Sequence, residues 1–157
     1  MFDTMARVRV TKQFGFEMAH ALWNYDGPCR NMHGHSYRLY VTVTGHPIKD
    51  NSNPKHGMLI DFGDLKKIVN EAIIDKFDHA VMISSEVPPE RYANMEMILE
   101  NLKVANYQPT CENMVVDFAE RIKNKLPRGV ELFSLRLDET ATSYAEWYAS
   151  DNPQKQK

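Results

Sequence analysis

The sequence predicts an α+β fold built on an antiparallel sheet. Strand-like alternation marks both ends of the chain, two helical stripes lie between them, and strands and helices do not alternate regularly. At 157 residues the chain fits one domain, 1–157, and can bury a core without covalent staples.

The first strand is expected over Val8–Met18, because from Phe14 to Met18 every second residue is apolar. The polar, turn-rich stretch Asn24-Tyr25-Asp26-Gly27-Pro28 follows. A second strand runs from about Gly34 to Thr44, with Tyr37, Leu39, Val41 and Val43 on one face. The two strands read as a long antiparallel hairpin with a broad connection. Residues 46–57, dense in Pro, Asn and Gly, form a loop.

Helix one is expected from Asp61 to about Lys76. Leu65, Ile68, Val69, Ala72 and Ile73 keep its apolar stripe, and Asp61 and Asp64 suit its positive N-terminal end. Residues 84–108 read as an insertion opened by Val87-Pro88-Pro89, with a short helix suggested by Met95, Ile98, Leu99 and Leu102. Helix two starts at a Thr110 cap after Pro109, buries Val115, Phe118, Ala119 and Ile122, and stops before Pro127. A closing hairpin pairs the arm of Phe133, Leu135 and Leu137 with Tyr144–Ala149. The tail 151–157 is expected to fray.

Composition narrows the function classes. Nineteen basic against 21 acidic side chains leave no broad basic field for duplex DNA, so no nucleic-acid partner is expected. No apolar run approaches the roughly 20 residues that span a bilayer, so no membrane partner is expected either. Met1–Arg7 leads into no signal-peptide core. The only cysteines, Cys29 and Cys111, read as free thiols in a reducing, cytoplasmic setting.

The chemistry concentrates in Cys29-Arg30-Asn31-Met32-His33-Gly34-His35. Histidines at i and i+2 on a strand point the same way and can converge on one ion. Gly34 between them allows close approach. His20, ending the first strand, supplies a third nitrogen if the hairpin sets it opposite His35. Three histidines and an open position is the donor set of a catalytic zinc. Two plainer readings stay open: imidazoles with no metal, and a closed structural site with Cys29 as fourth ligand.

Three further stretches have ordinary explanations on their own. Asp78-His79 follows helix one, where the macrodipole favours a histidine. Thr110-Cys111-Glu112-Asn113 is a helix cap with an acid in its first turn. Glu139 sits at a hairpin turn, where acids are usually only solvated.

Taken together, these pieces resemble the family of 6-pyruvoyltetrahydropterin and 6-carboxytetrahydropterin synthases. The likeness runs from about Phe14 to Tyr148. It rests on an ordered set: Phe16-Glu17-Met18-Ala19-His20, Cys29 to His35, Gly57-Met58-Leu59-Ile60-Asp61-Phe62, Asp78-His79, Thr110-Cys111-Glu112-Asn113 and Glu139-Thr140.

The resemblance implies the tunnelling fold: a four-stranded antiparallel sheet with two helices on one face, with sheets from several subunits joined into a β-barrel. It implies a homo-oligomer, a hexamer, with active sites between subunits. Zn2+ would be held by His20, His33 and His35. Cys29 would be the general base and Asp78 with His79 the second proton-transfer pair. Glu139 would grip the guanidine-like edge of a pterin, with Thr110 and Glu112 lining that pocket.

The implied substrate is 7,8-dihydroneopterin triphosphate. Three residues between Cys29 and His33 match the bacterial carboxy branch of queuosine synthesis, which releases acetaldehyde and triphosphate. The alternative is the pyruvoyl branch, which eliminates triphosphate without cutting the side chain. A third branch carries glutamate where this chain has Cys29. Two departures stand out: Met82-Ile83 replaces the usual Leu-Asn, and the 84–108 insertion is long.

Overall fold

A computed structural model describes residues 6–153. Strand β1 (Val8–His20) and strand β2 (His33–Gly45) form the expected hairpin, each longer than its alternation indicated. Between them lies a single 3-10 turn, Pro28–Arg30, which carries Cys29. Their register pairs Phe14 with Leu39, Phe16 with Tyr37, Met18 with His35 and His20 with His33. All eight of these side chains therefore share one face.

Helix α1 (Phe62–Val69) begins where Asp61 accepts a hydrogen bond from the Gly63 N–H at 2.6 Å. It runs through a π-turn, Asn70–Ile74, into a last helical turn, α2 (Asp75–Phe77). The expected helix is thus present with a widened turn that its apolar stripe did not reveal. Strand β3 (Ala80–Ser84), helix α3 (Pro89–Tyr92) and strand β4 (Leu102–Ala105) follow. Helix α4 (Cys111–Lys123), capped by Thr110, leads to β5 (Val130–Asp138) and β6 (Tyr144–Tyr148).

The sheet corrects one expectation. Among the described residues it has six strands in the order β4-β3-β1-β2-β5-β6, not four, and it is mixed. The expected antiparallel block survives as β1-β2-β5-β6, while β3 joins β1 and β4 joins β3 in parallel. The reason is local. Ala80–Ser84 is a five-residue run with four buried positions, too short and too uniformly apolar to show a period of two. The chain reaches it from β2 through the helical segment, passing β1 to pair in parallel with β1's other edge.

The insertion is corrected too. Its helix occupies Pro89–Tyr92, because prolines at 88 and 89 suit a helix start there. Met97 and Ile98 form no packed stripe: they are 82% and 80% exposed. Leu102, expected in that helix, opens β4 instead. At the C-terminus, Ala149–Asp151 makes a 3-10 turn, and residues 154–157 of the tail expected to fray lie outside the described residues.

One face of the sheet is covered. Phe14, Phe16, Tyr37, Leu39, Val41, Leu135 and Leu137 pack with Leu65, Val69 and Phe77 from the first helical segment and with Met114, Phe118 and Ile122 from α4. Phe16 stacks on Tyr37 with ring centroids 5.1 Å apart. Among the described residues, no helix is long and apolar enough to cross a membrane.

Candidate metal centre

The core face of the β1–β2 hairpin ends in imidazoles. His20 lies opposite His33, while His35 pairs with Met18, two residues further along the same face. The expected placement of His20 opposite His35 is therefore off by one pair, and the convergence does not suffer. One ring nitrogen from each of the three lies within 4.8 Å of the other two. Gly34 sits between them because its strand hugs β1: a Cβ there would meet the Met18 carbonyl oxygen at 3.3 Å.

Backbone carbonyls fix two of the rings. The His20 Nδ1–H donates to the Pro109 oxygen at 2.7 Å, and the His33 Nδ1–H donates to the Asn31 oxygen at 2.8 Å. Carbonyls only accept, so each neutral ring carries its proton on Nδ1 and a lone pair on Nε2. Those two Nε2 atoms stand 3.1 Å apart. Neighbouring ligands on a tetrahedral zinc lie about 3.3 Å apart, given Zn–N bonds of about 2.0–2.1 Å. The His35 Nε2 is buried without a hydrogen-bond partner among the described residues. Converging bare acceptors, oriented from behind by carbonyls, fit a divalent cation.

The electrostatics agree. Burial pushes the His20 pKa below its ordinary value, outweighing the Pro109 carbonyl that pulls it up. Burial likewise lowers His35, against the pull of Glu139. Both rings therefore stay neutral, with lone pairs available, to lower pH than a free histidine.

Glu139 is closer to this centre than its hairpin position suggested. Its Oε1 lies 3.7 Å from His20 Nε2 and 3.9 Å from His35 Nε2. The Tyr37 hydroxyl is the next group down the strand face. Burial first, then the Glu139 carboxylate, raise its pKa above the usual phenol value. Tyr37 was missed as a site residue, although its i+2 spacing from His35 was a usable signal. Pro109 was missed as well, and a main-chain acceptor leaves no mark in the sequence.

Asp78 and His79 meet because His79 adopts φ 58°, a left-handed conformation uncommon outside glycine. That turn brings its Nδ1 to 3.0 Å from Asp78 Oδ2. Asp78 Oδ1 also accepts the Glu17 N–H at 2.9 Å, and this bond, ahead of the imidazole, holds the carboxyl below the usual range. His79 is 78% exposed. It lines a cleft of about 330 Å³ with Glu17, Ala19 and His35. A second cleft, about 460 Å³, runs from His35 past Ser36 and Arg38 to Glu139 and Thr140. The two clefts meet at Gly34–Ser36.

The other candidates are placed differently. Cys29 is half-buried on its 3-10 turn and is not among the mutually close ligand atoms. Thr110 accepts the Asn113 N–H at 3.3 Å as a helix cap, and Glu112 is exposed on the first turn of α4; neither lines either cleft. Cys111 is buried, its Sγ–H donating to the Leu137 oxygen at 3.2 Å. Burial, and then Glu139, push its thiol up to about 12, so it packs as an inert group.

Comparison with known proteins adds an independent line. A family model, 6-pyruvoyl tetrahydropterin synthase, matches residues 9–150. A Haemophilus influenzae protein named 6-carboxy-5,6,7,8-tetrahydropterin synthase is 37% identical over 88% of this chain and 97% of its own length. Among solved structures, an uncharacterized protein from Wolinella succinogenes superposes with a TM-score of 0.75 at 20% identity, over 91% of this chain and 98% of that one. Caenorhabditis elegans 6-pyruvoyl tetrahydropterin synthase superposes with a TM-score of 0.65 at 22% identity, covering 94% and 99%. At those identities the structural matches speak for the fold alone.

Proposed function

The chain belongs to the 6-pyruvoyl tetrahydropterin synthase family, and we propose that it is the carboxy-branch enzyme. It takes 7,8-dihydroneopterin triphosphate and water to 6-carboxy-5,6,7,8-tetrahydropterin, acetaldehyde and triphosphate. We place it in the cytoplasm, as a single-domain subunit of a homo-hexamer serving queuosine synthesis. Supporting the oligomer are the sheet edges at β4 and β6, since unpaired edges in a soluble protein need covering. Supporting the branch are the Cys29–His33 spacing and the name borne by the Haemophilus influenzae relative.

One observation carries the proposal: two imidazoles oriented by carbonyls, and a third with a bare buried nitrogen, converge beside Glu139. His20, His33 and His35 are our ligands for zinc, which when bound supplies a Lewis acid at the substrate's side-chain oxygens. Cys29 takes a proton from the substrate side chain, and His79, oriented by Asp78, hands one back across the carbon skeleton. Glu139 holds the donor edge of the pterin with its two oxygens; Thr110 and Glu112, which line neither cleft, are assigned to the pterin pocket on the family resemblance alone.

The test is a product assay of zinc-loaded protein with 7,8-dihydroneopterin triphosphate, read by mass spectrometry and an acetaldehyde assay beside Cys29→Ala. The expected result is acetaldehyde with a 6-carboxypterin species, both lost in the variant. Triphosphate release without acetaldehyde would replace this branch by the pyruvoyl one. Zinc binding without turnover would leave a structural metal site.

A further inference from the structure

Gln108 joins two loops that carry different parts of the site. Its side-chain amide pairs with the main chain of Trp23 in both directions. The Trp23 N–H donates to Oε1 at 3.0 Å, and the Gln108 Nε2–H donates to the Trp23 oxygen at 2.7 Å. Trp23 belongs to the segment between β1 and the 3-10 turn. One residue before it, the Leu22 N–H donates to the Cys29 carbonyl at 3.0 Å. The loop that carries Cys29 is therefore closed on itself at Leu22 and gripped from outside at Trp23.

The grip has a firm base. Gln108 precedes Pro109, whose carbonyl orients His20. Its own carbonyl accepts from Asn113 Nδ2 at 2.9 Å, fixing it to the first turn of α4. The insertion adds a second hold, with the Arg91 guanidinium 5.2 Å from the Trp23 ring centre.

We propose that Gln108 is a positioning residue for Cys29, holding the thiol's loop in register with the carbonyl that orients His20. The proposal rests on the reading of Cys29 as the base. A planar amide is the side chain that can satisfy one residue's N–H and C=O at once, as a neighbouring strand would. Leucine of similar size leaves both Trp23 groups part-buried and unpaired. Glutamate keeps the acceptor and loses the donor, so it should hold the loop partway. The insertion thereby acquires a role as well, bracing Trp23 from the indole side.

The experiment uses the full zinc-loaded chain with Gln108→Leu and Gln108→Glu. Three quantities are read: the rate at which iodoacetamide modifies Cys29, bound zinc per chain, and kcat and KM with 7,8-dihydroneopterin triphosphate. Buried Cys111 serves as the internal gauge of unfolding. For Gln108→Leu we expect the Cys29 rate to change at least about fivefold, with zinc content and Cys111 labelling as in the parent. The kcat should fall about 10- to 100-fold while KM stays within about threefold; Gln108→Glu should lie between. An unchanged Cys29 rate overturns the proposal. Zinc lost together with kcat overturns it too, by showing that Gln108 acts through His20. If Gln108→Leu labels Cys111, the folded glutamate variant decides. A parent chain without turnover defeats the enzyme reading, while the labelling rates still decide whether Gln108 places Cys29.

Discussion

Two stretches of the β1–β2 ladder share strands, register and face, yet one is core and the other is a candidate active site. In the middle, Phe14 faces Leu39 and Phe16 faces Tyr37; at the end, Met18 faces His35 and His20 faces His33. The backbone is the same throughout, so the ladder itself sets no chemistry. What changes is the side-chain set and the roof above it. Helical side chains close over the middle, whereas at the end three imidazoles converge beside Glu139. The site is the last layer of the core face, so its geometry inherits the rigidity of the pairs behind it.

The sharpest way to break that pairing of core and site is to empty each in turn. His35→Ala should abolish metal binding in the folded protein, cutting turnover by about a thousandfold or more, since the ligand set drops to two. Metal analysis and kinetics on the same sample check it. Retained stoichiometric zinc would remove His35 from the ligand set. Leu39→Ala, fully buried on the same face two positions beyond Tyr37, should instead cost about 2–5 kcal/mol of stability in urea unfolding. Well below its midpoint, that variant should keep its metal. Zinc loss there would mean that core and site are one cooperative unit and not two layers.

Sequence patterning disclosed much of this arrangement. Period-two alternation locates β1, β2 and β5, and it puts His33 and His35 on one face. The Thr110 cap and the Leu65–Ile73 stripe bounded both long helices. What stayed hidden was what local pattern does not encode. Ala80–Ser84 was missed because a strand buried on both sides loses its period. The widened turn at Asn70–Ile74, the left-handed His79 and the approach of Glu139 to His20 are set by tertiary context. Gln108 gave no signal, because a side-chain amide bridging 85 residues of chain looks like any surface glutamine.

Metal removal probes the same contrast at intermediate size. Chelation should lower the unfolding midpoint by an amount that grows with free zinc in the reference sample. About 2.7 kcal/mol is expected when free metal is 100-fold above its dissociation constant. The loss should vanish in His35→Ala and persist in Leu39→Ala, read by thermal scans at two zinc concentrations. A chelator shift of equal size in all three would point to a metal bound elsewhere.

The smallest effect concerns the far side of the cleft, where Asp78 belongs to neither layer. The Glu17 N–H, and then the His79 ring, hold its carboxyl below the ordinary aspartate value. A folded-state pKa below the unfolded one gives stability that is present above about pH 4, the unfolded value. That stability fades as pH falls through the lower folded value. Because the side chain is 39% exposed, solvent screening keeps the contribution under about 1 kcal/mol. The stability gap between parent and Asp78→Asn should therefore be small and constant from pH 5 to 7, and should close below about pH 4. Urea midpoints across that range check it. Turnover should respond differently. Asparagine still accepts the Glu17 N–H but carries no charge to bias the His79 imidazole, so kcat at neutral pH should fall about 10- to 100-fold. If kcat falls no further than the stability loss explains, Asp78 is only a strut for the β1–β3 junction, and His79 works without it.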